Sequence, residues 1–179
     1  MPRFPAVILS FLLILLSGEA LMSLSLTSDS FADGEPIPVH HTCQGADLSP
    51  ALTWSDVPPG TKSLVLIVDD PDAPDPAAPK RTWVHWVLYN IPPTATFLSE
   101  GILPADLPEG TRQGRNDVGS TGYHGPCPPI GTHRYFHKLY ALDAVLNLSG
   151  RPDKAAVVAA MEGHVLAEAV LMGTYRKGE

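Results

Sequence analysis

Apolar and polar residues along this chain alternate, or run together in short blocks, and helical spacing is absent until near the end. Leu24 to Phe31 alternates and reads as a first strand. Asp33-Gly34 then supplies a turn, and Pro36-Ile37-Pro38 an extended edge segment. Ala51 to Trp54 reads as a short strand, closed by the turn Val57-Pro58-Pro59-Gly60. Leu64 to Val68 is a continuous apolar run, the signature of a strand buried on both faces. Asp70 to Lys80, with four prolines, cannot be helical. Trp83 to Ile91 reads as a long strand. Strict alternation puts Trp83, His85, Val87 and Tyr89 on one face, with Val84, Trp86 and Leu88 opposite. Pro92-Pro93 ends it, and residues 94–113, mixed and Pro-interrupted, read as loop.

The stretch Gly119 to Leu142 changes character halfway. Gly119, Gly122, Gly125 and Gly131 permit backbone angles closed to other residues, and Pro126, Pro128 and Pro129 fix φ and remove donors. A rigid irregular loop is expected to Thr132, followed by a strand. Its alternation puts His133, Tyr135 and His137 on one face, and Arg134, Phe136 and Lys138 on the other. A stiff loop feeding a strand that offers His and Tyr side by side is how a scaffold presents a small polar site.

The one clear helix lies late. Pro152 suits a first helical position and Asp153 the first turn, and Ala155, Val158 and Met161 recur at helical spacing up to Gly163. After it, Leu166, Ala169, Leu171, Gly173 and Tyr175 fit a strand at least as well as a helix. Many strands with one or two peripheral helices predict a mainly β chain, an antiparallel β-sandwich. No internal repeat or linker divides residues 21–179, which are read as one domain.

Composition narrows the partners. The chain has 179 residues and a net charge of −7. No basic patch is visible, so nucleic acid is excluded as an expected partner, and an anionic membrane face should repel the chain. Residues 1–20 read as a signal peptide. Arg3 is followed by the apolar run Ala6 to Leu16, too short to span a bilayer, and Gly18 and Ala20 suit cleavage after Ala20; an uncleaved N-terminal anchor is the alternative reading. The expected location is therefore periplasmic or extracellular. Export permits Cys43 and Cys127 to pair, closing a loop worth roughly 4–5 kcal/mol in the chain-entropy model. Two separate buried thiols fit the spacing equally well.

Three places carry candidate chemistry. Asp70 and Asp72 are two apart on an extended segment, so both carboxylates can point the same way, although D-P-D-x-P is also ordinary turn chemistry. His85 sits mid-strand between two tryptophans, where a histidine is more often a hydrogen-bonded core residue than a ligand. His133 and Tyr135 follow the rigid loop. Asp70, Asp72, His85 and His133 could hold a divalent ion for a metal-dependent hydrolase. Against that, no tight metal-binding spacing is present, and Gly119-Ser120-Thr121-Gly122 is no nucleophile elbow.

The order D-P-D-x-P, then His85-Trp86, then the run from Gly122 to Tyr135 (G-Y-x-G-P-x-P-P-x-G-x-H-R-Y) resembles the phosphatidylethanolamine-binding protein family, also called the Raf kinase inhibitor protein family. Thr42 to Trp54 and Gly114-Arg115-Asn116-Asp117 are similar to its bacterial and archaeal branch, the YbhB/YbcL type. The resemblance spans roughly Leu26 to Tyr175. It implies a non-enzymatic binding module that needs no cofactor. It also implies that Asp70, Asp72, His85, Pro128, Pro129, His133 and Tyr135 converge on one small pocket for a phosphate-like anion or phospholipid head group. By the same resemblance, a protein target such as a protease and a homodimer are candidate partners. The loop between Pro129 and His133 is two residues shorter than the mammalian pattern, and the mammalian C-terminal helix has no counterpart, so a more open pocket is expected. Carboxylates beside imidazoles should favour imidazolium at His85 and His133, free amides of the Gly-rich loop should help hold a phosphate, and Asp70 or Asp72 should remain free for an ammonium.

Overall fold

A computed structural model describes residues 23–178. The expected signal segment, residues 1–20, lies outside the described residues. The polypeptide forms two antiparallel sheets. The larger has five strands in the order β6-β4-β3-β7-β8, and the smaller three in the order β1-β2-β5. The strands are β1 (Ser25–Thr27), β2 (Leu52–Ser55), β3 (Ser63–Asp70), β4 (Trp83–Ile91), β5 (Phe97–Leu98), β6 (Arg112–Gln113), β7 (Thr132–Leu142) and β8 (Val165–Arg176). Among the described residues, one α-helix, α1 (Lys154–Met161), and a single 3-10 turn at Val39–His41 complete the elements. The expected sandwich is the observed fold.

β3 is buried along its whole length because it serves two cores. Leu64, Leu66 and Val68 face the smaller sheet, with Leu52, Trp54, Leu98, Trp86, Leu88 and Leu139. Val65 and Ile67 face the other way, packing with Val87, Tyr89, Leu142, Val157 and Met161. At about 2 kcal/mol for each large apolar side chain removed from water, this central strand anchors both layers. Continuing its alternation, Asp69 ends on the helix side, where Lys138 (2.9 Å) and Lys154 pair with it, and Asp70 ends on the inner face.

Four expectations need correction. The first strand is shorter than Leu24 to Phe31, because pairing with β2 covers only Ser25, Leu26 and Thr27. Residues 94–113 contain two two-residue strands, β5 and β6, too short to leave a periodic signal. Asp153 is the N-cap of α1 rather than a first-turn residue: its carboxylate accepts from the amide of Ala156. The buried side of α1 is Val157 and Met161, four apart, while Ala155 and Val158 face solvent. The fourth correction is in β4. Val68 pairs with Trp86, but Asp69 pairs with Val84, so His85 is an extra residue with no partner on β3. This β-bulge breaks strict alternation. Trp86 and Leu88 face the inner core, whereas Val84, Val87 and Tyr89 lie under the helix. A second register shift falls near Asn90, whose φ is +55°. The Asn90 amide stabilises that conformation, donating to the Leu146 carbonyl (2.9 Å) and accepting from the Leu146 amide (2.8 Å).

Candidate functional site

The inner face of the large sheet ends in a cavity of about 280 Å³. β3 brings Asp70, β4 brings Trp83 and His85, and β7 brings His133 and Tyr135. The two Pro-rich loops supply the walls: Ala73 and Pro74 from one, and His124, Cys127, Pro128 and Pro129 from the other. The peptide bond between Ala73 and Pro74 is cis. Gly125 lies so close to the His41 carbonyl and the Asp47 carboxylate that a Cβ would collide with both. This glycine lets the loop dock on the segment around residues 41–47. Gly131, at φ +74°, turns the chain into β7.

Six of the seven residues named from sequence line this cavity. Asp72 does not. After Asp70 the chain turns, and the Asp70 carboxylate accepts from the Asp72 amide (2.7 Å), the turn chemistry that D-P-D-x-P allows. Asp72 is thereby carried to Arg134, which donates to it from Nε (2.9 Å), from a terminal nitrogen (2.7 Å) and from the backbone amide (2.9 Å). The Arg134 side-chain hydrogen bonds hold the Asp72 carboxyl below its ordinary range.

Neither carboxylate is free for an ammonium, which corrects that expectation. The second oxygen of Asp70 takes the Nδ1 proton of His133 at 2.7 Å, in a pair almost wholly buried. His133 Nε2 donates to the Ile130 carbonyl at 3.0 Å. Both nitrogens of His133 are thus occupied within the protein, and it buttresses the loop rather than offering a donor to the cavity.

His85 is the opposite case. Its Nδ1 donates to the His124 carbonyl at 2.6 Å, which fixes the tautomer and leaves a lone pair on Nε2. That nitrogen is buried and has no protein partner. Burial lowers the pKa of His85, outweighing the His124 carbonyl and Asp70, so the ring is neutral at pH 7. The expected imidazolium at His85 is therefore corrected, because desolvation exceeds the attraction of the carboxylates. The Tyr135 hydroxyl is likewise buried without a partner, and burial raises its pKa, so it keeps its proton. The two rings meet edge to face at 5.2 Å between centroids. His124 stacks parallel to His85 at 6.2 Å and faces Asp47 at 3.4 Å.

Loop amides contribute less than expected. The prolines have none, and that of Gly125 donates to Asp47 at 2.6 Å. Of the four residues named for a metal-dependent hydrolase, Asp70, His85 and His133 line the cavity, but Asp72 is committed to Arg134 and both His133 nitrogens are occupied. Among the described residues no three His, Cys, Asp or Glu side chains are grouped so as to hold an ion.

Sequence reasoning did not name Ala73, Pro74, Trp83 and His124 as site residues, and it named Cys127 only as a possible half of a bridge. Trp83 had a signal, being two positions from His85 on one strand face; His124 lies inside the Gly/Pro loop. The structure joins Cys43 to Cys127 in a disulfide, with 5.5 Å between the Cα atoms.

Comparison with known proteins sets this geometry in a family. The model of the family described as phosphatidylethanolamine-binding protein matches residues 27–176. A UPF0098 protein of Methanothermobacter thermautotrophicus is 52% identical over 156 residues, which are 87% of this chain and 100% of that protein. A solved phosphatidylethanolamine-binding protein homologue from Chlamydia trachomatis is 45% identical, with a TM-score of 0.80, covering 87% of this chain and 99% of that one. Escherichia coli YbcL, described as a new member of the mammalian family, is 35% identical with a TM-score of 0.78, covering 86% and 98%.

Proposed function

The chain belongs to the phosphatidylethanolamine-binding protein family, and from that premise we propose that it is a binding module whose cavity takes a small, singly protonated oxyanion such as a phosphate monoester. The observation that carries this is the pair of buried polar atoms without partners, His85 Nε2 and the Tyr135 hydroxyl, at the wall of a cavity whose Asp70 and His133 are already paired with each other. Buried polar groups are normally satisfied, and an unsatisfied pair beside a cavity marks where a ligand supplies the missing partners.

The polarity of the pair selects the ligand. Tyr135 donates to an anionic oxygen. The neutral His85 nitrogen accepts from a P–OH group, or takes up a proton as the fully ionised ligand binds. Either route consumes a proton relative to a dianion, so binding strengthens as pH falls towards the second phosphate pKa near 6. The ammonium of a head group such as phosphoethanolamine lies towards the cavity mouth, because no carboxylate inside is free to take it. The same chemistry is presented by a free phosphate ester or by a lipid head group, and the net charge of −7 favours the free molecule over an anionic bilayer.

NMR titration with phosphoethanolamine and inorganic phosphate at pH 5.5 and pH 8 tests this. The expected result is that His85 and Tyr135 signals shift at millimolar ligand, more strongly at the lower pH, and that Tyr135→Phe weakens binding about tenfold. Titrations that leave both residues unmoved refute the reading. Vesicles carrying phosphatidylethanolamine, assayed alongside, separate a lipid source from a soluble one. The chain is also proposed to be exported. What supports this is the short apolar run Ala6 to Leu16 and the small residues Gly18 and Ala20, and N-terminal sequencing of the mature protein tests it.

A further inference from the structure

We propose that the Cys43–Cys127 bridge is a thiol–disulfide exchange site at the cavity wall, and that its opening by a small thiol or dithiol loosens the cavity's grip on its ligand. The effect on ligand rests on the oxyanion reading above; the exchange chemistry does not.

Three features point to a reactive bridge. The first is access. Cys127 is exposed and Cys43 half-buried, so the bridge lies at the surface rather than in either core. The second is a cation. The Lys177 amine lies 3.8 Å from the Cys127 sulfur. It is delivered there by a C-terminal segment pinned to the residue next to Cys43: the Tyr175 hydroxyl (2.6 Å) and the Gly178 amide (2.8 Å) both donate to the Gln44 side-chain oxygen. In a chain of net charge −7, this amine draws an incoming thiolate and stabilises a departing one. The third is position. Cys127 itself lines the cavity, followed directly by Pro128 and Pro129.

The bridge also holds the part of the loop that lies between two sets of hydrogen bonds. Upstream, the loop is tied to the 41–47 segment by the Tyr123 hydroxyl on the His41 carbonyl (2.9 Å), the Gly125 amide on Asp47 (2.6 Å) and the Cys43 amide on the Pro126 carbonyl (3.1 Å). Those ties stop at Pro126, and Pro128 and Pro129 have no N–H to add. The next is the Ile130 carbonyl on His133. The covalent link at Cys127 therefore sits between them and sets the wall that faces His85 and Tyr135.

The exchange balances in two steps. A thiolate attacks the Cys127 sulfur, forming a mixed disulfide and expelling the Cys43 thiolate, which takes a proton from water. A second thiolate attacks the outer sulfur of that mixed disulfide, forming the small-molecule disulfide and releasing the Cys127 thiolate beside Lys177. The protein disulfide gains two electrons, and two thiols are oxidised to one disulfide.

The experiment follows the intact mature protein in native buffer with dithiothreitol, by alkylation and mass measurement, and repeats the NMR titration on both redox forms. The bridge is expected to open without global unfolding, Lys177→Met to slow opening by at least about threefold, and the reduced protein to bind phosphoethanolamine at least about fivefold more weakly. The Cys43→Ser/Cys127→Ser protein should match the reduced form; if that variant fails to fold, chemically reduced wild type decides. A bridge inert to dithiothreitol until the protein unfolds overturns the proposal, as does opening with affinity unchanged within twofold. If neither redox form takes phosphoethanolamine or phosphate, the oxyanion reading falls instead. The exchange site is then judged on the His85 and Tyr135 signals, which support it by moving on reduction and overturn it by staying still.

Discussion

Acidification should destabilise this protein through one residue that touches no ligand. His137 is wholly buried on the inner face of β7, 5.5 Å from the ring of Phe31. Neither ring nitrogen has a well-directed hydrogen-bond partner. Burial lowers its pKa to about 4, and the backbone of Tyr135 and Leu171 offsets this only in part. In the unfolded chain the same ring titrates near 6.5. Between these values the unfolded state binds more protons than the folded one, so stability is complete above pH 6.5 and is lost as pH falls towards 4. The integrated effect is about 2 kcal/mol between pH 7.5 and pH 5, and about 3 kcal/mol once the pH is below 4. His137→Leu removes the titrating group while keeping an apolar side chain of similar bulk. Its own packing cost is the same at every pH and cancels when slopes are compared, and so does the contribution of His85, which is also depressed by burial. Urea denaturation at pH 7.5 and pH 5 is the assay. With a slope of about 2 kcal/mol per molar, the wild-type midpoint should drop about 1 M further than that of the variant. Parallel midpoints in the two proteins refute the reasoning.

Other perturbations separate structure from site. Asn90→Ala removes two hydrogen bonds to Leu146 and leaves a side chain at φ +55°, so it should cost about 2 kcal/mol in urea denaturation, with Asn90→Gly recovering only the backbone part. Arg134→Ala should cost only about 1 kcal/mol at pH 7 because the guanidinium is half exposed. Asp72, depressed by Arg134, contributes stability above pH 3.8 that is lost as pH falls through its folded value, so the variant's stability should depend less on pH below about 4 than the wild type's. Val157→Ala, which opens a space between α1 and the large sheet, should cost about 2 kcal/mol while leaving ligand titrations unchanged, because that core is on the far face from the cavity.

Much of this architecture is legible from side-chain period alone. β3 reads as doubly buried because an unbroken apolar run has no polar face to give to water, and the structure puts a core on each side of it. His133, Tyr135 and His137 share the inner face of β7 as alternation requires. Period fails where the backbone departs from regular geometry. D-P-D-x-P looks like two carboxylates aimed one way, but the turn closed by Asp70 on the Asp72 amide sends the second to Arg134. No residue type announces that turn over an extended segment; the sequence admits both. β5 and β6 leave no trace because two residues cannot display a period.

The bulge at His85 is the decisive instance, because the site depends on the break in the pattern. Unbroken alternation puts His85 on the face of Val87 and Tyr89, which lies under α1. There it would be a core histidine remote from Tyr135. One unpaired residue between Val84 and Trp86 lets Trp83 and His85 face the cavity while Trp86 and Leu88 still fill the core behind it. The same shift lets Nδ1 meet the His124 carbonyl, which turns the lone pair of Nε2 into the unsatisfied acceptor. The extra residue therefore gives up one step of the β3–β4 ladder and sets both the position and the tautomer of the imidazole. The bulge is one of two register shifts between β3 and β4, and it is the one that brings His85 to the cavity wall beside Tyr135.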